Sequence, residues 1–425
     1  MNLIVKIPMI VRPAIRALAT LVLVAPLLGC DASILESSNV RETASPAGSN
    51  SQSPRLSQDI NGNPLLSWIE TEGAASMLKY SVLSQGQWSQ PREVSRGNSW
   101  MVNGADRPSV VQLTDALFAA HWLVKNPASA FAYDIFTSHS LNEGRSWSKP
   151  IMPYTGVKPG EYGFVSLYHS ADEFGDAYGV VWLDGRNVGD QISADERHDQ
   201  AGVALRSVQI GLDGSLKEQT IIDNLVCDCC PTSLTQGPLG PIVAYRNRDE
   251  SEQRDIFFSR LTEGQWSTPL PVGFDDWHIN GCPVNGPVIV SQGAVVAAAW
   301  FTAAGGRKSI RLALSRDGGQ TFGQSTEVDH GPVIGRVDLA IDRANHIVVS
   351  WLAVPEDSEY AEIRLQAYVV GDVSLEREAS DSITLKTKRP RGIPVIASLS
   401  DDDSILVWTS GSVMAPKVAV KIWGY

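Results

Sequence analysis

One aromatic-ended hairpin pattern recurs seven times along the chain, and this repeat constrains the fold more than any other feature of the sequence. Each unit contains a strand-like run, a polar turn and a second run that ends in Trp or Tyr. These aromatic residues recur at intervals of 51 to 63 residues, at Trp68, Trp122, Trp182, Tyr245, Trp300, Trp351 and Trp408. A β-rich repeat of this length fits one four-stranded blade with its loops. The pattern therefore predicts an all-β propeller of seven blades, with six blades as the alternative.

The sequence between these aromatic residues is typical of β-strands and turns. After residue 30 no segment keeps a helical period, and short runs of Val, Ile, Leu, Trp and Tyr alternate with polar turns. The last repeat, from Gly392 to Tyr425, has room for only three strands. We therefore expect an N-terminal strand within residues 33–50 to complete the last blade and close the ring, because closure removes exposed sheet edges.

Two short polar motifs lie in register with the repeat and indicate the kind of propeller. In each, Asp or Asn caps a tight turn, Gly takes a left-handed conformation, and an aromatic residue packs on the neighbouring hairpin. The motifs consist of Ser315, Asp317, Gly319 and Phe322, and of Ser140, Asn142, Gly144 and Trp147. They resemble the Asp boxes (BNR repeats) of the sialidase-like β-propellers, and the resemblance covers roughly residues 54–424. In that family the boxes are structural.

The N-terminus has the features of a bacterial lipoprotein signal. Positive residues precede an apolar run over residues 17–28, which is too short to span a bilayer. The run ends at Cys30 in a sequence that resembles a lipobox, which implies cleavage before Cys30 and acylation of it, palmitate included. We expect residues 1–29 to be the signal peptide, residues 30–53 the lipid anchor and tether, and residues 54–425 the propeller. The propeller would then be held at a membrane of the bacterial cell envelope, in the periplasm or outside.

The charge balance excludes one class of partner, and the basic residues suggest another. The net charge of −12 argues against a broad surface for nucleic acid. In a propeller, the loops before the innermost strands and after the second strands open on one mouth of the central channel. We predict that an acidic small molecule or glycan binds there, at Arg186, Arg246, Arg248, Arg336, Arg391, His121 and Lys125. The alternative is that these arginines pair with nearby carboxylates and hold loops together.

Four cysteines precede Pro at equivalent positions of two adjacent repeats. Cys227, Cys229 and Cys230 lie before repeat four, and Cys282 lies before repeat five, so we expect all four to meet at the channel mouth. Three interpretations stay open: two structural disulfides, a soft-metal site for copper or zinc with His278 as an extra ligand, or a redox-active dithiol. Adjacent cysteines pair only with strain, so Cys229 and Cys230 are expected to have different partners.

The family resemblance also implies a catalytic interpretation. Sialidases use an arginine cluster for the substrate carboxylate, a Tyr activated by a Glu, and an Asp as acid and base. The candidates here are Asp184 or Asp106 as the acid, and Tyr133 or Tyr162 with Glu161 as the nucleophile pair. The family's Arg-Ile-Pro signature is absent where the first blade should carry it. Two functions stay open: a propeller that binds an acidic ligand, glycan or soft metal, and an exo-sialidase or related hydrolase of acidic sugars.

Overall fold

The computed structural model describes residues 39–128, 132–172, 175–188, 202–371 and 374–425. Residues 39–425 form one compact unit. The predicted signal peptide, Cys30 and the first part of the tether lie outside the described residues. Among the residues that are described, no helix is long and apolar enough to cross a membrane.

The described chain folds into seven antiparallel sheets, so the predicted seven-bladed β-propeller is confirmed and the six-bladed alternative is wrong. A short strand, β1 (Val40–Glu42), precedes the first blade. The first blade consists of β2 (Ser51–Gln58), β3 (Pro64–Glu72), β4 (Ala75–Ser84), β5 (Gln87–Trp88) and β6 (Arg92–Gly97). The second blade consists of β7 (Ser109–Gln112), β8 (Phe118–Lys125) and β9 (Tyr133–Ser140). The third blade consists of β10 (Tyr162–Asp172), β11 (Gly175–Asp184), β12 (Val203–Gly211) and β13 (Thr220–Val226).

The remaining four blades follow in chain order, each with its innermost strand first. The fourth blade consists of β14 (Ser233–Gly237), β15 (Gly240–Arg246), β16 (Ile256–Thr262), β17 (Gln265–Trp266) and β18 (Leu270–Pro271). The fifth blade consists of β19 (Val288–Gln292), β20 (Val295–Thr302), β21 (Ser309–Ser315) and β22 (Thr326–His330). The sixth blade consists of β23 (Val333–Ile341), β24 (His346–Ala353), β25 (Glu362–Val370) and β26 (Leu375–Thr384), and the seventh of β27 (Arg391–Ser398), β28 (Asp403–Gly411) and β29 (Pro416–Gly424).

β1 lies on the outer edge of the seventh blade. It runs antiparallel to β29, with Val40 opposite Trp423, so this blade draws strands from both ends of the described chain. That this three-residue pairing closes the ring stays a prediction. β2 begins at Ser51, so the predicted boundary at residue 54 falls inside the innermost strand of the first blade.

The apolar core lies between neighbouring blades. One cluster joins Leu65 of the first blade to Trp122 of the second, and another joins Ala299 of the fifth blade to Trp351 of the sixth. Each blade therefore buries both of its faces, as stacked sheets do. This double burial explains why the second strands, such as β20, are almost continuously apolar rather than alternating.

The repeated aromatic residues also carry a repeated polar contact. In three blades the aromatic residue of the second strand donates a hydrogen bond to a carboxylate at the outer edge of the preceding blade. The pairs are Tyr245 with Asp223 at 2.6 Å, Trp300 with Asp275 at 2.5 Å, and Trp351 with Asp329 at 2.8 Å. The aromatic repeat therefore links each of these blades to its predecessor through a polar contact as well as through packing.

The two Asp boxes form compact turns that face the preceding blade. Asp317 accepts hydrogen bonds from Ser315 Oγ at 2.6 Å and from Thr321 Oγ1 at 2.6 Å. The ring of Phe322 packs edge-on against Phe258, 5.0 Å away between centroids. In the other box, Trp147 packs edge-on against Tyr80 of the first blade at 6.3 Å.

Glycine is required in both Asp boxes because the turn lies against the neighbouring blade. Gly319 has φ of 83°, and a Cβ there would lie 2.3 Å from the side chain of Ile242. Gly144 has φ of 74°, and its Cβ would lie 1.8 Å from the hydroxyl of Tyr80. Any other residue would be strained and would displace the adjacent sheet.

Several innermost strands begin with a β-bulge whose free N–H is bound by an adjacent blade. Ser53, Phe164 and Arg336 have positive φ of 55°, 54° and 55° at these bulges. We call the hydrogen bonds to their N–H groups the bulge contacts. The acceptors are Thr409 Oγ1 for Ser53 at 3.2 Å, Asp106 Oδ1 for Phe164 at 2.8 Å, and Asn285 Oδ1 for Arg336 at 2.8 Å. Side-chain acceptors are therefore held at the end of the ring where the innermost strands begin.

Candidate functional site

A cavity of about 470 Å³ runs through the centre of the ring. All seven innermost strands contribute to its wall, which carries many hydroxyl and amide side chains. The end at which the innermost strands begin is called the mouth below. Its charged and amide residues are Arg55, Arg107, Asn285, Arg336 and Asp338.

Three arginines meet at the mouth although they come from three different blades. Burial, together with the neighbouring charge of Arg55, lowers the pKa of Arg107 to about 9, and Arg336 adds to the same effect. Arg107 Nη1 donates to the carbonyls of Pro54 at 3.0 Å and Ile393 at 3.1 Å. Arg336 Nη1 donates to the carbonyl of Val284.

Arg55 differs from its two neighbours. Its side chain lines the cavity, and among the described residues its guanidinium has no hydrogen-bond partner. Burial lowers its pKa, and the carboxylates of Asp338 and Asp106 counteract that effect. A guanidinium is charged at neutral pH, so Arg55 presents a positive charge and free N–H donors to the cavity.

Two carboxyl groups beside these arginines are hard to ionise. Burial raises the pKa of Asp106 to about 7, against the partial compensation of its hydrogen bond from the Phe164 N–H. Burial likewise raises the pKa of Asp338 to about 6, and its Oδ2 accepts the N–H of Ile396 at 2.9 Å. The mouth therefore holds three arginines against two carboxyl groups that take up protons near neutral pH, which leaves a net positive charge.

The structure brings three of the five predicted catalytic residues together. Tyr133, the first residue of β9, and Glu161, which directly precedes β10, form a bridge pair. A Cβ placed on Gly163 would lie 1.9 Å from Asp106 Oδ2 and 2.9 Å from the Tyr133 ring, so these two side chains are neighbours. Burial raises the pKa of the Tyr133 phenol, and the charges of Asp106 and Glu161 raise it further. The phenol is therefore protonated in the resting protein.

The other two predicted catalytic residues have internal partners. Asp184 is buried and accepts hydrogen bonds from Trp182 Nε1 at 2.9 Å and from both Nε and Nη2 of Arg186 at 2.6 Å. Tyr162 donates to the carbonyl of Lys158 at 2.5 Å, and burial raises its pKa to about 12. Arg186, a predicted ligand residue, is therefore bound to Asp184 in a bidentate ion pair.

The remaining predicted ligand residues are not among those that line the cavity. Arg246 is buried, donates to three backbone carbonyls and stacks over Trp277. Arg248 binds Glu252, and Arg391 donates to Ser412 and Gln52. Buried His121 lies 2.8 Å from Ser109 Oγ, and burial lowers its pKa to about 3, so it is neutral; Lys125 is exposed.

The four cysteines meet as the sequence predicts, but they form two unequal pairs. Cys229 and Cys282 form a disulfide. Cys227 and Cys230 are free and buried, with Sγ atoms 2.7 Å apart. These two residues are spaced as Cys-x-x-Cys, a signal that the sequence analysis passed over. His278 lies near Ser251 and Asp276 and belongs to neither group of metal-capable side chains in the described ranges.

The two free thiols differ in acidity. A hydrogen bond from Cys230 lowers the pKa of Cys227 to about 6, and the charges of Arg246 and Arg254 assist. Burial raises the pKa of Cys230 well above its usual range. Arg254 Nη1 lies 3.4 Å from Cys227 Sγ, so the pair holds one thiolate and one thiol near neutral pH.

Arg55, the residue with the most available charge at the mouth, was not predicted from the sequence. Its signal was weak, because Arg55 lies within the innermost strand β2 and not in a loop before such a strand. The bulge at the start of that strand turns its side chain toward the cavity. A bulge cannot be located from strand periodicity alone.

The described chain is a seven-bladed β-propeller in which two Asp boxes link neighbouring blades. No protein-family model matches the sequence, and no curated protein does. Among solved structures, an ulvan lyase described as a new polysaccharide lyase family aligns with TM-score 0.51 and 11% identity, over 90% of this chain and 96% of its own.

Two further structures align at lower scores. A leech intramolecular trans-sialidase gives TM-score 0.46 and 10% identity, covering 91% of each chain. The NanB sialidase of Streptococcus pneumoniae gives a TM-score of 0.46 and 13% identity, and the alignment covers 90% of this chain and 69% of the NanB chain.

The raised pKa of Asp106 predicts a measurable pH dependence of stability. The folded protein keeps this proton up to about pH 7, whereas the unfolded chain loses it near the ordinary value of 3.8, so the stability contributed by this group falls as the pH rises between those values. Asp106→Asn keeps the oxygen that accepts the Phe164 N–H and cannot ionise. We expect the melting temperature of this variant to fall less than that of the wild type between pH 5 and pH 8.

Asp317→Asn is the matched control for this experiment. Hydrogen bonds from Ser315 and Thr321 lower the pKa of Asp317, so the group is ionised throughout this pH range. Its substitution should lower the melting temperature equally at both pH values. An Asp106→Asn variant with the same pH slope as the wild type would contradict the assignment.

Proposed function

We propose that this propeller binds an acidic carbohydrate in its central cavity, with Arg55 as the principal ligand for the acidic group. The observation that carries the proposal is the unpartnered guanidinium of Arg55 on the cavity wall. A desolvated charge without a partner is costly, and a bound carboxylate or sulfate would supply two acceptors in the geometry that guanidinium favours. Arg336, which is only partly buried, is the second positive group within the same mouth.

The volume and the lining of the cavity support a sugar as the molecule that carries the acidic group. About 470 Å³ is within the range of small-molecule sites. Its wall offers the hydroxyls of Ser57, Ser109 and Ser233 and the amides of Gln58 and Gln112, which suit the many hydroxyls of a carbohydrate better than they suit an apolar acid.

A second candidate function is the hydrolysis of an acidic glycoside, favoured by the grouping of Tyr133, Glu161 and Asp106. Asp106 has a pKa near neutrality and is suited to give a proton to a leaving group. Glu161, whose pKa burial also raises, lies beside Tyr133 and is the group available to take the phenol proton. Tyr133 would then attack the sugar as a nucleophile.

We further propose that the propeller is attached to a membrane of the cell envelope through lipid on Cys30. The support is the sequence pattern alone: an apolar run that ends in Leu-Leu-Gly-Cys. In such a compartment thiols oxidise readily, which agrees with the disulfide between Cys229 and Cys282.

Calorimetric titration with N-acetylneuraminic acid and with glucuronic acid tests the binding proposal. We expect at least one acid to bind, neutral N-acetylglucosamine not to bind, and Arg55→Ala to weaken binding tenfold or more, because a charge-assisted hydrogen bond contributes about 1.5–3 kcal/mol. Arg145→Ala is the control, since the exposed side chain of Arg145 pairs with Glu143 alone among the described residues. Equal affinity in the Arg55 and Arg145 variants would refute the role of Arg55.

Fluorogenic 4-methylumbelliferyl glycosides of the same two acids test the hydrolase candidate. If the chain is a hydrolase, Tyr133→Phe should abolish turnover, and Tyr162→Phe should retain it because the Tyr162 hydroxyl is bound to a backbone carbonyl. The rate should fall as the pH rises through about 7, where Asp106 loses its proton. No turnover by the wild type between pH 4 and pH 8 would remove this candidate and leave binding.

Metabolic labelling with an alkyne analogue of palmitate tests the anchor. The wild-type chain should carry the label and sediment with membranes, and Cys30→Ser should lose the label because the sulfur that would be acylated is gone. An unlabelled wild-type chain, or a Cys30→Ser variant that keeps the label, would show that Cys30 is not the lipidated residue.

A further inference from the structure

The cysteine cluster contains one accessible pair and one inaccessible pair. The disulfide joins partly buried Cys229 to exposed Cys282. The two free thiols, Cys227 and Cys230, are each only 1% exposed. A dissolved reagent can therefore reach the disulfide, but the folded protein shields the dithiol from it.

Arginines beside the buried dithiol favour a thiolate. Arg254 Nη1 lies 3.4 Å from Cys227 Sγ, and its side chain is 4% exposed. Arg246 acts on both thiols. Guanidinium groups stabilise an anionic sulfur, and Glu252 and Asp228, 2.7 Å and 3.7 Å from Arg254, offset part of that positive charge.

The two pairs are within reach of each other. Cys227 Sγ lies 4.0 Å from Cys229 Sγ, which belongs to the disulfide, and 2.7 Å from Cys230 Sγ. Cys227 is thus the sulfur that contacts both its resolving partner and the accessible disulfide. We propose that the four cysteines form a thiol–disulfide relay, in which the Cys229–Cys282 disulfide passes two electrons between external thiols and the buried Cys227–Cys230 pair.

The internal step is balanced without any co-reactant. The Cys227 thiolate attacks Cys229 Sγ, a Cys227–Cys229 bond forms, and Cys282 leaves as a thiolate that takes up a proton. Cys230 then loses its proton and attacks Cys227 Sγ, which releases Cys229 as a thiolate that is protonated in turn. The buried pair is oxidised by two electrons and the accessible pair is reduced by two electrons. The same steps in reverse order return the two electrons to the buried pair.

The relay would couple the mouth of the cavity to the redox state of its surroundings. Cys230 receives a backbone hydrogen bond from Asn285, whose side chain binds the N–H of Arg336. Oxidation of the buried pair removes the thiolate that Arg254 faces. The charge balance around Arg254 therefore changes with the redox state, and Asn285 joins the buried pair to the bulge contact of Arg336, independently of which ligand the cavity binds.

Site-resolved thiol mapping of the full-length, detergent-solubilised protein tests the relay. The reduced protein is incubated with oxidised glutathione, quenched in acid, alkylated with iodoacetamide and analysed by peptide mass spectrometry. In the wild type we expect Cys227 and Cys230 to become disulfide-bonded. In the double variant Cys229→Ser/Cys282→Ser we expect this oxidation to be at least tenfold slower, because the buried pair has lost its accessible intermediary.

Oxidation at equal rates in the two proteins would overturn the relay, since it would mean direct access to the buried pair. A Cys227–Cys230 pair that stays reduced in the wild type would overturn it as well. A bound copper or zinc ion in the purified wild type would instead establish the metal interpretation.

A second measurement does not depend on the folding of the double variant. Fully oxidised wild-type protein receives one equivalent of dithiothreitol, and thiols are mapped over time. They should appear first at Cys229 and Cys282 and then move to Cys227 and Cys230, at a rate independent of protein concentration. Cys227→Ser should keep its thiols at Cys229 and Cys282. Thiols that remain there in the wild type would refute the internal transfer.

Discussion

The bulge contacts are the interaction on which the mouth of this propeller depends. Each bulge frees a backbone N–H in a buried position, and such a group must find an acceptor. The acceptors are side chains of adjacent blades, among them Asp106 for Phe164 and Asn285 for Arg336. The same hydrogen bonds join neighbouring blades and turn arginines toward the cavity, and one of them holds the carboxyl group of Asp106 in a buried position. The bulge contacts therefore determine both how the blades pack at the mouth and which charged groups are found there.

The charge of the mouth follows from this arrangement. Burial raises the pKa of Asp106 to about 7 and that of Asp338 to about 6, so both carboxyl groups are partly protonated near neutral pH. They therefore neutralise the charge of the nearby arginines only in part. A chain with a net charge of −12 thus presents a positive cavity. The arginines that have ordinary ion-pair partners, such as Arg186 with Asp184, contribute to loop structure and leave Arg55 as the available cation. The cysteine pair is influenced by the same group of arginines, because Arg336 interacts with Cys230.

Local sequence patterns were sufficient to predict the fold, but they were insufficient to predict which residues form the site. The seven aromatic ends and the two Asp boxes could be read directly, because each reflects hydrogen bonds and packing within or next to one hairpin. The meeting of the four cysteines could also be predicted, since Cys229 and Cys282 precede equivalent strands of adjacent blades. Which sulfurs would pair could not, because that depends on side-chain directions in two loops. Arg246 shows the same limit: its sequence position suggests a ligand residue, and its three carbonyl partners lie up to 55 residues away in the chain.

The sequence by itself determined that this chain would be an all-β propeller with seven repeats, because apolar alternation, turn chemistry and box motifs act over a few residues. Only the tertiary structure decided which charged groups are satisfied and which face the cavity. Arg107 and its partner Ile393 are 286 residues apart, and Arg55 becomes a free cation only because the ring places its guanidinium on the wall of the central cavity. Desolvation and long-range pairing depend on the whole fold, and no local pattern encodes them.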